Sequence, residues 1–291
     1  MSVILAFTTG IKRATSEFRM VLLLYVVNVL AVLGLTLAFR SVLVEGFGAT
    51  TATSSLMSEM NYMVLQEFLR EHGEELGLVL RQIVWFSLIY MIVNTLLAGG
   101  ILTIIREKDT RFSLREFFSG CGTYFFRFLR LFLLFGILLI VCALVWTFVL
   151  GVLFDAITAE ATSEVTWIIS FFVMVVLFLL PIMIVILIAD YAKISTVLSN
   201  THSMLRSAWR AVKFVFRNFI KVISLQLLML LIPIVLFVIY LWLDLSIGMT
   251  TVGTIYLMLL LQQFFILTRV WSRVLFFSGE MELFEDLQIA R

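Results

Sequence analysis

In the stretch RSAWRAVKFVFRNFIK, residues 206–221, Arg206, Arg210, Lys213, Arg217 and Lys221 recur three or four positions apart. At about 100° per residue, the five cations fall within an arc of roughly 80° on a helix. Such a row binds anions, above all phosphate oxygens. Arg grips them with paired N–H donors, and Lys meets them as a point charge. Met204, Leu205, Ala208, Val212, Val215 and Phe219 fall on the opposite side. The spacing therefore predicts a helix lying in a membrane interface, apolar face down, with its cations level with anionic head groups. Each cation is worth about 1 kcal/mol near an anionic leaflet. The same pattern also suits a topology anchor, or a helix whose aromatic face packs on its neighbours.

A second set of charges stands at the ends of apolar runs. Asp190 has Lys193 one turn on, and Arg269 and Arg273 form another i, i+4 pair. An ionisable group at membrane depth marks either a functional site or an ion pair. Here an ion pair of Asp190 with Lys193, Arg269 or Arg273 is expected. The neutral polar residues within the apolar runs are Asn28, Asn94, Thr95, Gln226, Gln262 and Gln263. They are expected to hydrogen-bond helix to helix, at about 0.6 kcal/mol each.

No constellation for catalysis accompanies these charges. P-loop, HExxH, GxSxG and CxxC patterns are absent. Of the two histidines, His72 lies among Glu67, Glu71, Glu74 and Glu75 with no second histidine near, and His202 lies in a basic connection. Neither builds a metal site, and no cofactor or nucleic-acid partner is expected. Cys121 and Cys142 read as small packing residues rather than a disulfide.

The elements that carry these residues follow from composition. The 291-residue chain is 62% hydrophobic and 14% charged, with a mean hydropathy of +1.12. Soluble domains are about 45–50% apolar and about 25% charged, so the solvent for this chain is lipid. Six stretches reach the length of about 20 residues that crosses a bilayer: Met20–Phe39, Gln82–Ile105, Leu131–Phe154, Val165–Ala189, Val222–Leu243 and 249–267. Each must be helical, because hydrocarbon offers nothing to an open backbone. Pro181 and Pro233 predict kinks whose freed carbonyls are satisfied by neighbours. The first run begins too late, and is too long, for a cleavable signal.

All but three (Arg40, Arg70 and Arg81) of the 21 Lys and Arg residues lie on one side of this topology, and the opposite loops are acidic. The positive-inside rule then places both termini in the cytoplasm. Each outward span follows a basic segment, at Ile4–Phe18, Leu114–Arg130 and Arg206–Lys221. The expectation is one all-α membrane domain over residues 1–291, built of three parallel repeats of in-plane amphipathic helix, span and span. The repeats run to about 110, 200 and 278. In the first segment Ile4, Phe7, Ile11, Ala14 and Phe18 recur at helical spacing, with Lys12, Arg13 and Ser16 off that line. The first outer loop, about 41–78, contains a candidate amphipathic helix from Ser55 to Arg70. The segment from Gly279 to Arg291 reads as a solvated acidic tail, with docking on the basic helices as the alternative.

The segments GGILTIIREKDTRFSLREFFSGCGTYFFRFLR, ADYAKISTVLSNTHSMLRSAWRAVKFVFRNF and QQFFILTRVWSRVLFFSGEMELF resemble bacterial six-span membrane proteins. These include the membrane domain found beside some glycerophosphoryl diester phosphodiesterases. The resemblance implies a bacterial inner membrane and charges at the cytoplasmic span ends. It implies no hydrolase activity, since the stretch after span six is too short for the phosphodiesterase domain. Three readings stand: a non-enzymatic membrane protein that contacts anionic or other lipids, organises the membrane or moves an apolar molecule; an accessory subunit of a membrane complex; and, least favoured, an intramembrane lipid enzyme.

Overall fold

The computed structural model describes residues 3–47, 70, 73–107, 112–159, 163–201, 203–247 and 251–289. Among them the chain forms eight helices and no strand: α1 Val3–Ser16, α2 Phe18–Phe47, α3 Gly73–Arg106, α4 Leu114–Thr158, α5 Glu164–Ser199, α6 Met204–Arg217, α7 Phe219–Ser246 and α8 Val252–Ile289. Five of these are long and apolar enough to cross a membrane, and the α1–α2 pair supplies a sixth candidate if its two arms count together. The chain is a multi-pass membrane protein by this criterion. His72, His202 and most of the segment from Ser55 to Arg70 lie outside the described residues.

The chain divides into two compact units, one of Leu22–Asn94 and one of Met1–Val21 with Thr95–Arg291. In the smaller unit, α2 and α3 approach where Gly34 faces the ring edge of Phe86. Asn28 accepts a hydrogen bond from the Tyr90 hydroxyl, and its amide donates to the Leu24 carbonyl at 2.6 Å. Asn94 donates to the Tyr90 carbonyl at 2.8 Å. These two asparagines therefore mix helix-to-helix with same-helix bonding.

In the larger unit, the contacts along each long pair show antiparallel hairpins. Phe154 meets Trp167, Trp146 Nε1 donates to the Leu177 carbonyl at 2.8 Å, and Arg127 Nη1 donates to Asn200 Oδ1 at 2.8 Å, so α4 and α5 run in opposite senses. In the same way Phe237 and Tyr240 meet Phe265, while Met229 meets Gly279, which pairs α7 with α8. Asn200 ends α5 at φ 44°, the left-handed region that Asn tolerates, and turns the chain toward α6.

Burial is concentrated at the basic end of this unit. Buried side chains crowd Leu97–Ile105, Phe117–Phe135, Leu187–Val197, Met204–Val215 and Val270–Phe284. The apolar middles are bare: only 6% of the most apolar window of α4, and 11% of that of α5, is buried within the protein. Surfaces of that size and hydropathy belong against acyl chains. At the packed end, small residues let backbones approach. A Cβ on Gly100 would meet Cys121 Sγ and Phe117 Cε2 at 2.7 Å, and one on Gly99 would meet the Gly120 carbonyl at 3.0 Å. Ala6, Gly10 and Ala14 form a stripe on α1 whose Gly10 sits against the backbone of Gly279.

Two expectations need correction. The segment before span three is not a separate in-plane helix, because Leu114–Thr158 is one unbroken 45-residue helix; nothing in it resembles the single-residue breaks at Glu17, between α1 and α2, or at Asn218. On α1 the protein-facing line is Ala6, Gly10 and Ala14, while Ile4 and Phe18 of the apolar line are exposed. A close backbone crossing selects small side chains, and the bulky ones turn outward. The second correction is that residues 279–289 are not a solvated tail: α8 continues through Ile289, and Glu280, Met281, Leu283 and Phe284 are buried.

Candidate functional site

The buried end of α8 brings the scattered charges together. From Arg269 to Glu280, one face of the helix carries Arg269, Ser272, Arg273, Phe276, Phe277 and Glu280 at spacings of three and four. Opposite stand Asp190 and Lys193 on α5, one turn apart, and Gln226 and Pro233 on α7, two turns apart. Together these three helices line an open cavity of about 360 Å³.

Within it, Lys193 Nζ donates to Asp190 Oδ1 at 2.7 Å, which is the expected ion pair. Both side chains remain partly exposed, so the pair is not locked in a dry core. Lys193 Nζ and Arg273 Cζ lie 5.9 and 6.0 Å from the centre of the Phe277 ring, so this ring spaces two cations. Glu280 is 2% exposed, and its Oε2, like Gln226 Oε1, is buried without a hydrogen-bond partner. Three cations and two carboxylates thus line the cavity.

A second cavity of about 300 Å³ shares Pro233, Arg269 and Ser272 with the first. Its remaining wall is Leu236, Phe237, Phe265 and Thr268. Polar and apolar compartments therefore adjoin along the α7–α8 seam. Gln262 and Gln263, expected as interhelical glue, are half-buried on α8 and line neither compartment.

Behind the polar cavity, the rings of Tyr191, Phe214 and Phe284 pack with centroids 4.6–6.1 Å apart, joining α5, α6 and α8. At the other end of this packing, burial pulls the Arg13 guanidinium below its ordinary range, while Glu282, Glu285 and Glu17 pull it back. The acidic end of α8 thus docks through Phe284 on α5 and α6, and Glu282 and Glu285 lie near Arg13 of α1.

The basic stripe behaves differently. All five of Arg206, Arg210, Lys213, Arg217 and Lys221 are exposed. The expected single apolar face is divided in two. Met204, Ser207, Ala211, Phe214 and Val215 are buried against the protein, whereas Leu205, Trp209 and Phe216 are exposed. The helix has a packed face, a basic face and a bare apolar face, each roughly a third of a turn from the next.

Sequence reasoning missed Glu280, Ser272, Phe276 and Phe277. Hydropathy ends the span near residue 267, but the helical period of apolar residues continues through Val270, Val274, Phe277, Met281 and Phe284. That periodicity was the available signal. No family model, curated protein or solved structure matches the chain.

Proposed function

We propose that this chain is a non-enzymatic integral membrane protein that binds anionic lipid at its basic end, and so organises lipid or moves a lipid or apolar molecule. In this reading six spans cross a bacterial inner membrane in three hairpins, and both termini are cytoplasmic. The observation that carries it is the three-faced α6. Its inner face is held by Tyr191 and Phe284 through Phe214, so the outward direction of Leu205, Trp209 and Phe216 is fixed. A fixed bare apolar stripe beside a fixed cationic stripe matches the boundary between acyl chains and phosphates. The contact between Gly10 and Gly279 supports the topology, because it puts the N-terminal and C-terminal helices at one end of the unit.

Native mass spectrometry of the gently extracted protein tests this. The double variant Arg210→Glu, Arg217→Glu reverses two charges on the exposed face and disturbs no buried residue. It should lower retention of anionic lipid at least tenfold, since each cation is worth about 1 kcal/mol. An unchanged lipid signal would sink the reading.

A further inference from the structure

We infer that the paired cavities between α5, α7 and α8 hold one anionic phospholipid, with its phosphate in the charged compartment and an acyl chain in the apolar one. The inference rests on the lipid-binding reading above, but on a different site and on different observations.

The first observation is the chemistry of adjacency. A compartment of about 360 Å³ that carries charged side chains and one of about 300 Å³ with a mainly apolar wall share Pro233, Arg269 and Ser272. A ligand filling both must be polar at one end and apolar at the other. Leu236, Phe237 and Phe265 offer no hydrogen bonds, so the part between them is hydrocarbon. The compartments lie along two helices whose apolar surfaces are otherwise bare, so an acyl chain reaches the slot sideways from the bilayer.

Charge identifies the head. Lys193 and Asp190 on α5 face Arg269, Arg273 and Glu280 on α8 across the charged compartment. Burial, reinforced by the charge of Asp190, holds the Glu280 carboxyl well above its ordinary range. The cations of the lining therefore outnumber its ionised carboxylates, and an anionic head group balances them. Arg269 and Arg273, one turn apart on α8, present planar donors to phosphate oxygens. A zwitterionic head would bring a further cation into this lining.

Hydrogen-bond accounting agrees. Glu280 Oε2 and Gln226 Oε1 are buried without partners. Buried polar atoms are almost always satisfied, so polar atoms of a bound head group belong against them.

The test uses the full chain, delipidated in detergent and titrated with defined lipids, read by native mass spectrometry and thermal shift. Phosphatidylglycerol should be retained as a single lipid and raise the melting temperature, at least tenfold more tightly than phosphatidylcholine or phosphatidylethanolamine. Inorganic phosphate and glycerol phosphate probe the head alone and should give less than a tenth of that affinity. Arg269→Gln with Arg273→Gln should abolish the head-group preference. Leu236→Trp, which fills the slot and leaves every charge in place, should remove retention while the protein still elutes as a folded particle. Equal binding of phosphatidylcholine would overturn the head-group assignment, and equal binding of glycerol phosphate would overturn the acyl slot. The Arg210→Glu, Arg217→Glu chain separates the two sites. It should keep the single tight lipid while losing looser anionic ones. Loss of the single lipid there, with retention in the Arg269→Gln, Arg273→Gln chain, would place binding on α6 and end the cavity proposal.

Discussion

Helices α5 and α7 each carry a proline within an apolar stretch, and the two sites differ in what occupies the gap. Pro181 has no N–H to give the carbonyl four residues back, which is that of Leu177. The indole of Trp146 on α4 donates to that carbonyl at 2.8 Å. The second hairpin is thereby closed by its own side chain, and Phe154 against Trp167 closes it again nearer the loop. Pro233 frees the Met229 carbonyl in the same way, but the wall beside it opens into both cavities. Two hairpins with the same proline device thus serve different ends. One is a seam whose proline gap is filled by a side chain of its own hairpin, and the other is a seam that leaves space for a guest.

The sealed hairpin should break most readily at its foot, where α3 crosses α4. A Cβ at Gly120 would collide with Thr103 Oγ1 and stand 2.7 Å from Thr103 Cβ. Thr103 is itself tied to the Gly99 carbonyl at 2.8 Å, so it cannot swing aside cheaply. Gly120→Val should cost about 3 kcal/mol through overpacking, seen as loss of the monodisperse peak in fluorescence-detected gel filtration. Gly122→Val is the control, since nothing lies within 4 Å of a Cβ there. Equal loss in both variants would mean that the crossing is looser than the glycine geometry states.

Higher in the same hairpin, Trp146→Phe keeps an aromatic ring but deletes the N–H. The Leu177 carbonyl is then without its donor, at a cost of about 1–2 kcal/mol. Pro181→Ala restores an amide that can bond to that carbonyl, so the double variant should recover most of the loss. Additive effects in this cycle, measured by thermal unfolding in detergent, would show that the indole bond and the proline gap are unrelated.

The same comparison explains what could be read in advance. Five long apolar helices and the Asp190–Lys193 pair were legible, because hydropathy over 20 residues and an i, i+3 charge spacing are local properties. A neighbour's donor for the carbonyl freed by Pro181 was also legible in kind, although Trp146 as that donor was not, since it lies 31 positions from Leu177. The protein-facing line was not legible where a helix meets both protein and lipid. The apolar lines of α1 and α6 include Ile4, Phe18 and Leu205, which face outward. The protein contact is made instead by Ala6, Gly10 and Ala14 on α1, and by Ala211 among others on α6. In lipid, a large apolar side chain gains little by turning inward, and close helix contact rewards small ones. Glu280 escaped notice for a related reason. A carboxylate in an acidic run reads as solvated, and only the continued apolar period of α8 shows that the run lies on a buried helix.

The smallest change in stability, and the sharpest test of the contrast, is expected at Pro233. Replacing it with Ala supplies an N–H for the Met229 carbonyl and relieves the ring's clash with the preceding turn. With no tertiary donor to displace among the described residues, Pro233→Ala should alter stability by less than about 1 kcal/mol, in the stabilising direction. Function should move the other way. A straightened α7 shifts Leu236 and Phe237 relative to Phe265, which removes the shared wall between the two cavities, so retention of the single lipid should fall several-fold. Pro181→Ala in the sealed hairpin should leave that retention unchanged. If instead both proline variants weaken lipid retention alike, the effect belongs to bending of the spans in general, and the distinction between a closed seam and an open one fails.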